Sequence, residues 1–261
     1  MGGVGALVVA VAAGGAWAVT RGHQPPAASV DQAVRNYRAT STTRGSSRVG
    51  DGPAPGVYTA TGTGSEKLSI QANATTMGPT MPVTVTGDGS RCWQFRIAYT
   101  TDHWQSWRYC LQGNRLLDLG GAVHQRFDFT VFHYDSDVQS VCDPADEVLH
   151  LGAEPGDRWA QSCSSGSGSS ASHQAGTATY LGVARLKVGN RSVTTDHVRW
   201  TRDTTGAQHG TSRDEYWFAT DTYLPVRHVW TLAATTPGPG GASVTYDETG
   251  EWDLATLQPR S

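Results

Sequence analysis

From Pro53 onward the chain is a succession of short runs rich in Val, Thr, Tyr, Trp and Phe, each bounded by Gly, Asn, Asp or Pro. This rhythm constrains the fold more than any other feature. Such residues suit a pleated surface, and turn formers at this spacing reverse the chain before a helix can propagate. The runs fall at Gly56–Thr63, Glu66–Gln71, Thr80–Thr86, Cys92–Thr100, Gln105–Gln112 and Arg115–Leu119. They continue at Gln125–Tyr134, Ala178–Val188, Arg191–Arg202, Thr211–Thr220, Leu224–Leu232 and Ala242–Asp253. The expected fold is mainly β, with successive antiparallel strands. Gly189-Asn190 joins two runs as a primed hairpin turn, and Gly87-Asp88-Gly89 separates two others. Ser162–Ser172 reads as a flexible loop on composition, and Pro237–Gly241 as an exposed one. No repeat of fixed period emerges, which disfavours a propeller or solenoid.

Composition closes off other classes. With 38% hydrophobic and 16% charged residues, and with 31 Gly and 12 Pro, the chain lacks the helix formers of a bundle. Lys67 and Lys187 are the only lysines among 20 basic residues, and the net charge is -3. No broad cationic face is available for nucleic acid, which is not expected as a partner.

The chain divides into three. Val4–Val19 is an uncharged apolar run, short for a bilayer span and closer to a signal h-region. Ala16-Trp17-Ala18 supplies a small-x-small cleavage pattern, although Met1-Gly2-Gly3 carries no basic residue. Residues 1–20 are expected to be a signal peptide or membrane anchor. Residues 21–52 are expected to be a juxtamembrane tether containing one helix, Ser29–Ala39, with Ser29 and Gln32 as a capping box. Residues 53–261 form one extracytoplasmic β domain. Location is then membrane-anchored, or secreted if cleavage occurs near Ala18. Cys92, Cys110, Cys142 and Cys163 are even in number, as in an exported domain with two disulfides. Three pairings are open, and short loop length favours Cys92 with Cys110 and Cys142 with Cys163. Closing loops of that size stabilises by about 3 kcal/mol each. No zinc-ligand spacing exists among them, so no metal or other cofactor is expected.

Catalytic signatures are missing. There is no nucleophile elbow, phosphate loop, zinc-binding H-E-x-x-H or complete calcium loop. Asp135-Ser-Asp137 reads as a polar turn. His103, His173 and His209 fall in turns or loops, where solvation is the simplest reading. His124, His133, His197 and His228 lie on or beside strands. The alternation Val226, His228, Trp230, Leu232 makes His228 a packed, hydrogen-bonded residue. The adjacent acids Asp146-Glu147, Asp214-Glu215 and Asp247-Glu248 point to opposite faces of a strand and cannot act as pairs. No catalytic residue is assigned and no enzyme activity is expected. A hydrolase would draw first on His133, Asp135, His197 and Asp214. The aromatic residues are more distinctive. In Phe127–Tyr134 they occupy both faces, as in a strand buried on both sides or lining a cavity. They supply either an aromatic core or an apolar pocket lined by Trp93, Phe95, Trp107, Phe129, Trp200, Trp217 and Trp230.

The stretch Asp214–Trp230 contains Tyr216-Trp217, Thr222, Leu224-Pro225-Val226 and Arg227. It resembles a strand-turn-strand element of extracytoplasmic proteins like the bacterial lipoprotein-carrier and mycobacterial lipoprotein group. With Gly56-Val57-Tyr58, the paired Cys and the N-terminal apolar run, the layout over Pro53–Pro259 is similar to uncharacterised actinobacterial membrane-anchored or secreted β-proteins. The resemblance implies a strongly curved antiparallel sheet, a half barrel or open barrel, preceded by a hydrophobic helix and a flexible tether. It carries over no ligand-binding residue. The expected function is that of a non-enzymatic cell-envelope protein binding a hydrophobic or amphiphilic ligand, with the membrane and a lipid as partners. The alternatives are a structural or sensory ectodomain contacting other envelope proteins, and a secreted hydrolase.

Overall fold

The computed structural model describes residues 24–41, 52–87, 91–129, 132–237 and 242–261. Helix α1 (Val30–Ser41) precedes strands β1 (Gly56–Leu68), β2 (Thr75–Met77), β3 (Thr80–Gly87), β4 (Cys92–Ala98), β5 (His103–Gln112) and β6 (Arg115–Phe129). Strands β7 (Phe132–His150), β8 (Arg158–Ser165), β9 (Ser172–Val188), β10 (Arg191–Gly206), β11 (His209–Ala219), β12 (Pro225–Pro237) and β13 (Ser243–Leu254) follow, with a short 3-10 turn at Gly168–Ser170. Each strand pairs antiparallel with its sequence neighbour along the sheet, and β2 and β3 share one lane beside β1, interrupted at Gly78-Pro79.

The sheet then closes. Ala60–Leu68 of β1 pair with Leu254–Tyr246 of β13 in unbroken register, which makes a closed barrel of twelve lanes. The half or open barrel expected from sequence is therefore corrected: first and last strands satisfy each other's edges, and no edge remains between them. Close approach is built in at Gly62, where an added Cβ would lie 2.1 Å from the Glu251 carbonyl oxygen. Gly62→Ala is expected to force β1 from β13 at a cost of about 1–3 kcal/mol, read as a lower urea midpoint.

Strand period decides inside from outside. In β1 the even positions Tyr58, Ala60, Glu66 and Leu68 are buried in the lumen, while Thr61, Thr63 and Lys67 are exposed. Eight strands already give an interior that side chains just fill, so a round barrel of twelve would leave space. This one is flattened. Tyr109 of β5 meets Phe218 of β11 at 6.4 Å, Tyr99 meets Trp230 of β12 at 5.2 Å, and Phe95 of β4 meets Trp252 of β13 at 5.9 Å. Walls three to six lanes apart thus touch through aromatic rings. The outer wall is polar, and among the described residues only Val141 and Val183 are exposed large hydrophobic residues. A lipid-facing barrel would instead carry an apolar band outside.

Several local expectations hold. The helix forms, with the Gln32 amide donating to Ser29 Oγ at 3.3 Å, and it packs Val34 and Tyr37 on Val57 of the outer wall. Gly189 turns β9 into β10 with φ 57, and Pro225 opens β12. Both disulfides pair as favoured, Cys92 with Cys110 and Cys142 with Cys163.

Other expectations fail. The run Gln125–Tyr134 is divided between two antiparallel strands, β6 ending at Phe129 and β7 beginning at Phe132, so its residues on both faces belong to different strands. Asp135-Ser-Asp137 lies within β7, and Ser162–Ser172 holds the end of β8, a 3-10 turn and the start of β9. Polar composition hid these strands because their outer faces meet water. The segments Val4–Val19, Gly87-Asp88-Gly89 beyond Gly87, and Pro237–Gly241 beyond Pro237 lie outside the described residues. Among those described, no helix is long and apolar enough to cross a membrane.

Candidate functional site

The lumen holds a layer of buried polar side chains. His103, at the start of β5, places Nδ1 3.2 Å from Glu66 Oε2 on β1. Gln125 of β6 donates Nε2 to the same oxygen at 2.9 Å and also to the Tyr246 hydroxyl. That hydroxyl lies 2.9 Å from Glu66 Oε2 and 2.8 Å from Glu248 Oε2, and Trp230 Nε1 donates to Glu248 Oε1 at 2.8 Å. Glu66 and Glu248 are direct partners across the seam that closes the barrel.

Electrostatics splits the two acids. Burial pushes Glu66 up, but the His103 charge beside it and the hydrogen bonds from Tyr246 and Gln125 overcome this and hold it below the usual carboxylate range. Burial pushes His103 down, and Glu66 overrides it and raises it. Glu248 is raised by burial, against the pull of His103 and with the charge of Glu66 adding to the rise. The two acids are thus shifted in opposite directions, Glu66 toward its ionised form beside His103 and Glu248 toward its protonated form. The single Tyr246 proton lies between two carboxylates, and raising Glu248 toward its neutral form eases the repulsion between them.

A second buried group lies beyond Trp230. Asp214 Oδ1 accepts from or pairs with His228 Nε2 at 3.0 Å, and its Oδ2 is 3.6 Å from the Arg202 guanidinium. His228 stacks on Tyr216 at 3.7 Å and on Trp230 at 4.8 Å. Burial lowers its pKa, Asp214 opposes that, and Arg202 adds to it. His228 is thus the packed, bonded residue its alternation implied.

The remaining sequence-derived candidates separate. Trp93, Phe95, Trp107, Trp200 and Trp230 all enter the lumen and are buried. Trp217 faces outward, stacked on His197 at 4.0 Å with the Arg227 guanidinium 5.4 Å from its ring. Phe129 ends β6, and its side chain lies outside the described residues. Of the hydrolase set, His133 and Asp135 are neighbours at 3.7 Å on exposed β7, His197 binds Glu215 on the outer wall at 2.9 Å, and Asp214 is inside. Glu215 is held down to about 2: burial pushes it up, but hydrogen bonds from Arg213, Arg199 and His197 prevail. These four groups do not share a cleft.

Sequence reasoning missed the Glu66–His103–Gln125–Tyr246–Glu248 group. His103, read as solvated, is 1% exposed. Strand parity was the available signal, since Glu66 shares its face with Tyr58, Ala60 and Leu68. The surface also carries concavities. One of about 490 Å³ lies between Tyr134–Gln139 of β7 and Gly166 and Ser170, and one of about 570 Å³ lies on the outer wall around Lys67, Arg213 and Asp247. Neither is lined by Trp93, Phe95, Trp107, Trp200, Trp217 or Trp230. Among the described residues, the one group with metal-ligand spacing is Cys142, Asp146 and Cys163, whose sulfurs form the second disulfide.

No known family model matches the chain, and no curated protein matches it in sequence. Among solved structures the chain is similar to the hypothetical lipoprotein YmcC from Escherichia coli (K12), at 14% identity and a TM-score of 0.37, covering 87% of this chain and 96% of that one.

Proposed function

We propose that this chain is a non-enzymatic extracytoplasmic ectodomain of the cell envelope, structural or sensory, that works through contacts with other envelope proteins. The observation that carries this reading is the meeting of aromatic side chains across the lumen. Residues available to line an amphiphile pocket are spent on one another, as in Phe95–Trp252 and Tyr99–Trp230. The two disulfides support an oxidising compartment. The hydrolase candidates His133, Asp135, His197 and Asp214 are dispersed between the outer wall and the lumen, which supports a role without catalysis. With only Val141 and Val183 exposed among the large hydrophobic residues described, the contacts are polar ones and strand edges.

The test is native mass spectrometry and solvent extraction of the purified chain, together with turnover assays on ester and glycoside substrates. The expected result is a chain free of co-purifying amphiphile and without turnover. A lipid retained at one per chain overturns the reading in favour of a carrier, and specific turnover overturns it in favour of a hydrolase.

A further inference from the structure

Strand β7 spans 19 residues and β8 only 8. They pair at Ser140↔Ser165 and Val141↔Ser164, and the Cys142–Cys163 disulfide occupies the next register. Gly166, with φ 69, then turns the chain away into the 3-10 segment. Strand β8 has ended, but β7 continues. Its Asp135–Gln139 stretch is bonded to β6 on one side and has no ladder partner on the other among the described residues. Beside this edge lies the concavity of about 490 Å³, whose far wall is Gly166 and Ser170.

A strand edge of this kind presents a row of amide donors and carbonyl acceptors that another extended segment can complete. Five residues of it span roughly 17 Å. Its side chains select the occupant. Ser136 and Val138 turn inward and are buried, whereas Asp135 and Asp137 face water with side chains 44% and 74% exposed. The nearby charged groups are His133, 3.7 Å from Asp135, His124, 2.9 Å from Asp137, and Arg126, which lies opposite Asp135 on β6, feels its charge and forms its ion pair with Asp128; among the described residues no Lys or Arg comes within ion-pair distance of either acid. A second copy of the chain is a poor occupant. Antiparallel pairing of two such edges about Ser136 sets Asp135 opposite Asp137, and like charges directly opposed destabilise a strand pair.

We propose that the Asp135–Gln139 edge of β7 is a docking site for an extended, basic segment of a partner protein, which adds there as a further strand with cationic side chains toward Asp135 and Asp137. The inference rests on the reading that the chain acts through protein contacts, and it names the edge and the chemistry of the partner.

Three peptide probes test it on the full chain: an acetylated alternating Lys/Val heptapeptide, its Glu/Val counterpart, and the Lys/Val peptide N-methylated at alternate amides. Binding is read by fluorescence anisotropy and by amide hydrogen exchange over 135–139. The Lys/Val peptide is expected to bind and to protect those amides, with the other two at least about tenfold weaker. The charge-reversed double variant Asp135→Lys, Asp137→Lys is expected to exchange the order of the Lys/Val and Glu/Val peptides. Equal binding of the N-methylated peptide overturns strand addition and leaves a charge contact only. Equal binding of the acidic peptide, no binding, or protection that grows with the concentration of the chain alone overturns the assigned occupant. Failure here leaves the ectodomain reading standing, because that reading falls only to a retained lipid or to turnover.

Discussion

Replacing His103 by alanine is expected to destabilise the barrel by about 3–5 kcal/mol, since it strands the Glu66 carboxylate in the lumen without its counter-charge. For a chain of this size that corresponds to a drop in Tm on the order of 10 °C. The loss depends on pH with a definite sign. His103 is raised in the folded state, so its contribution is fully present below its unfolded value of about 6.5 and is lost as pH rises through the raised value. Glu66 is lowered, so its contribution is present above about 4.3 and is lost as pH falls through the lowered value. The difference in Tm between the parent and His103→Ala is therefore widest between about pH 4.3 and 6.5 and narrows on both sides. Glu248, raised by burial, favours the acid side as well, and His228, lowered by burial, favours the alkaline side. His228 is common to parent and variant and cancels, whereas Glu248 loses the pull of the His103 charge in the variant and is raised further. A difference that is flat with pH, or smaller than about 1 kcal/mol, would show that the pair is not ionised in the lumen.

Trp252→Ala carries the second large effect. Its ring is fully buried, stacks on Phe95 of β4 at 5.9 Å and meets His228 edge-on at 6.0 Å, so it joins the walls and covers the polar layer. Truncation to alanine is expected to cost about 3–5 kcal/mol in a denaturant titration. Trp252→Phe is expected to cost far less, about 1 kcal/mol, because the indole Nε1 is buried without a hydrogen-bond partner among the described residues and phenylalanine removes that group while keeping a ring. If the two substitutions cost the same, the indole nitrogen is bonded within the lumen, and the ring contact is not what holds the walls together.

The five buried network residues show why a site can be partly written in sequence and still unread. The parity of β1 places Glu66 inside from local pattern alone, and the opposed faces of Asp247 and Glu248 follow from the same rule. Nothing local pairs Glu66 with His103, 37 positions later, or with Tyr246, 180 positions away. Those contacts exist only because β1 meets β13. The same closure explains the half-barrel expectation, since a turn such as Leu224-Pro225 reports a neighbouring strand and says nothing about which distant edge the first strand will find. Strands β7 and β8 were hidden for another reason. Many of their outer residues are Ser, Asp and Gln, which carry the composition of a loop and mask the period.

What the amino-acid sequence determined by itself is local: the helix cap at Ser29, the reversal at Gly189-Asn190, a preference among three disulfide pairings for those across short loops, and the alternation that sends aromatic residues to one face. Each depends on backbone sterics, chain-closure entropy or strand period over a few residues. The tertiary structure alone decided that the sheet closes, that it flattens until Tyr109 meets Phe218, that two acids and a histidine share one buried layer, and that β7 outruns β8. Those outcomes depend on lanes meeting around a ring, where a burial cost at one position is offset by a group far away in the chain.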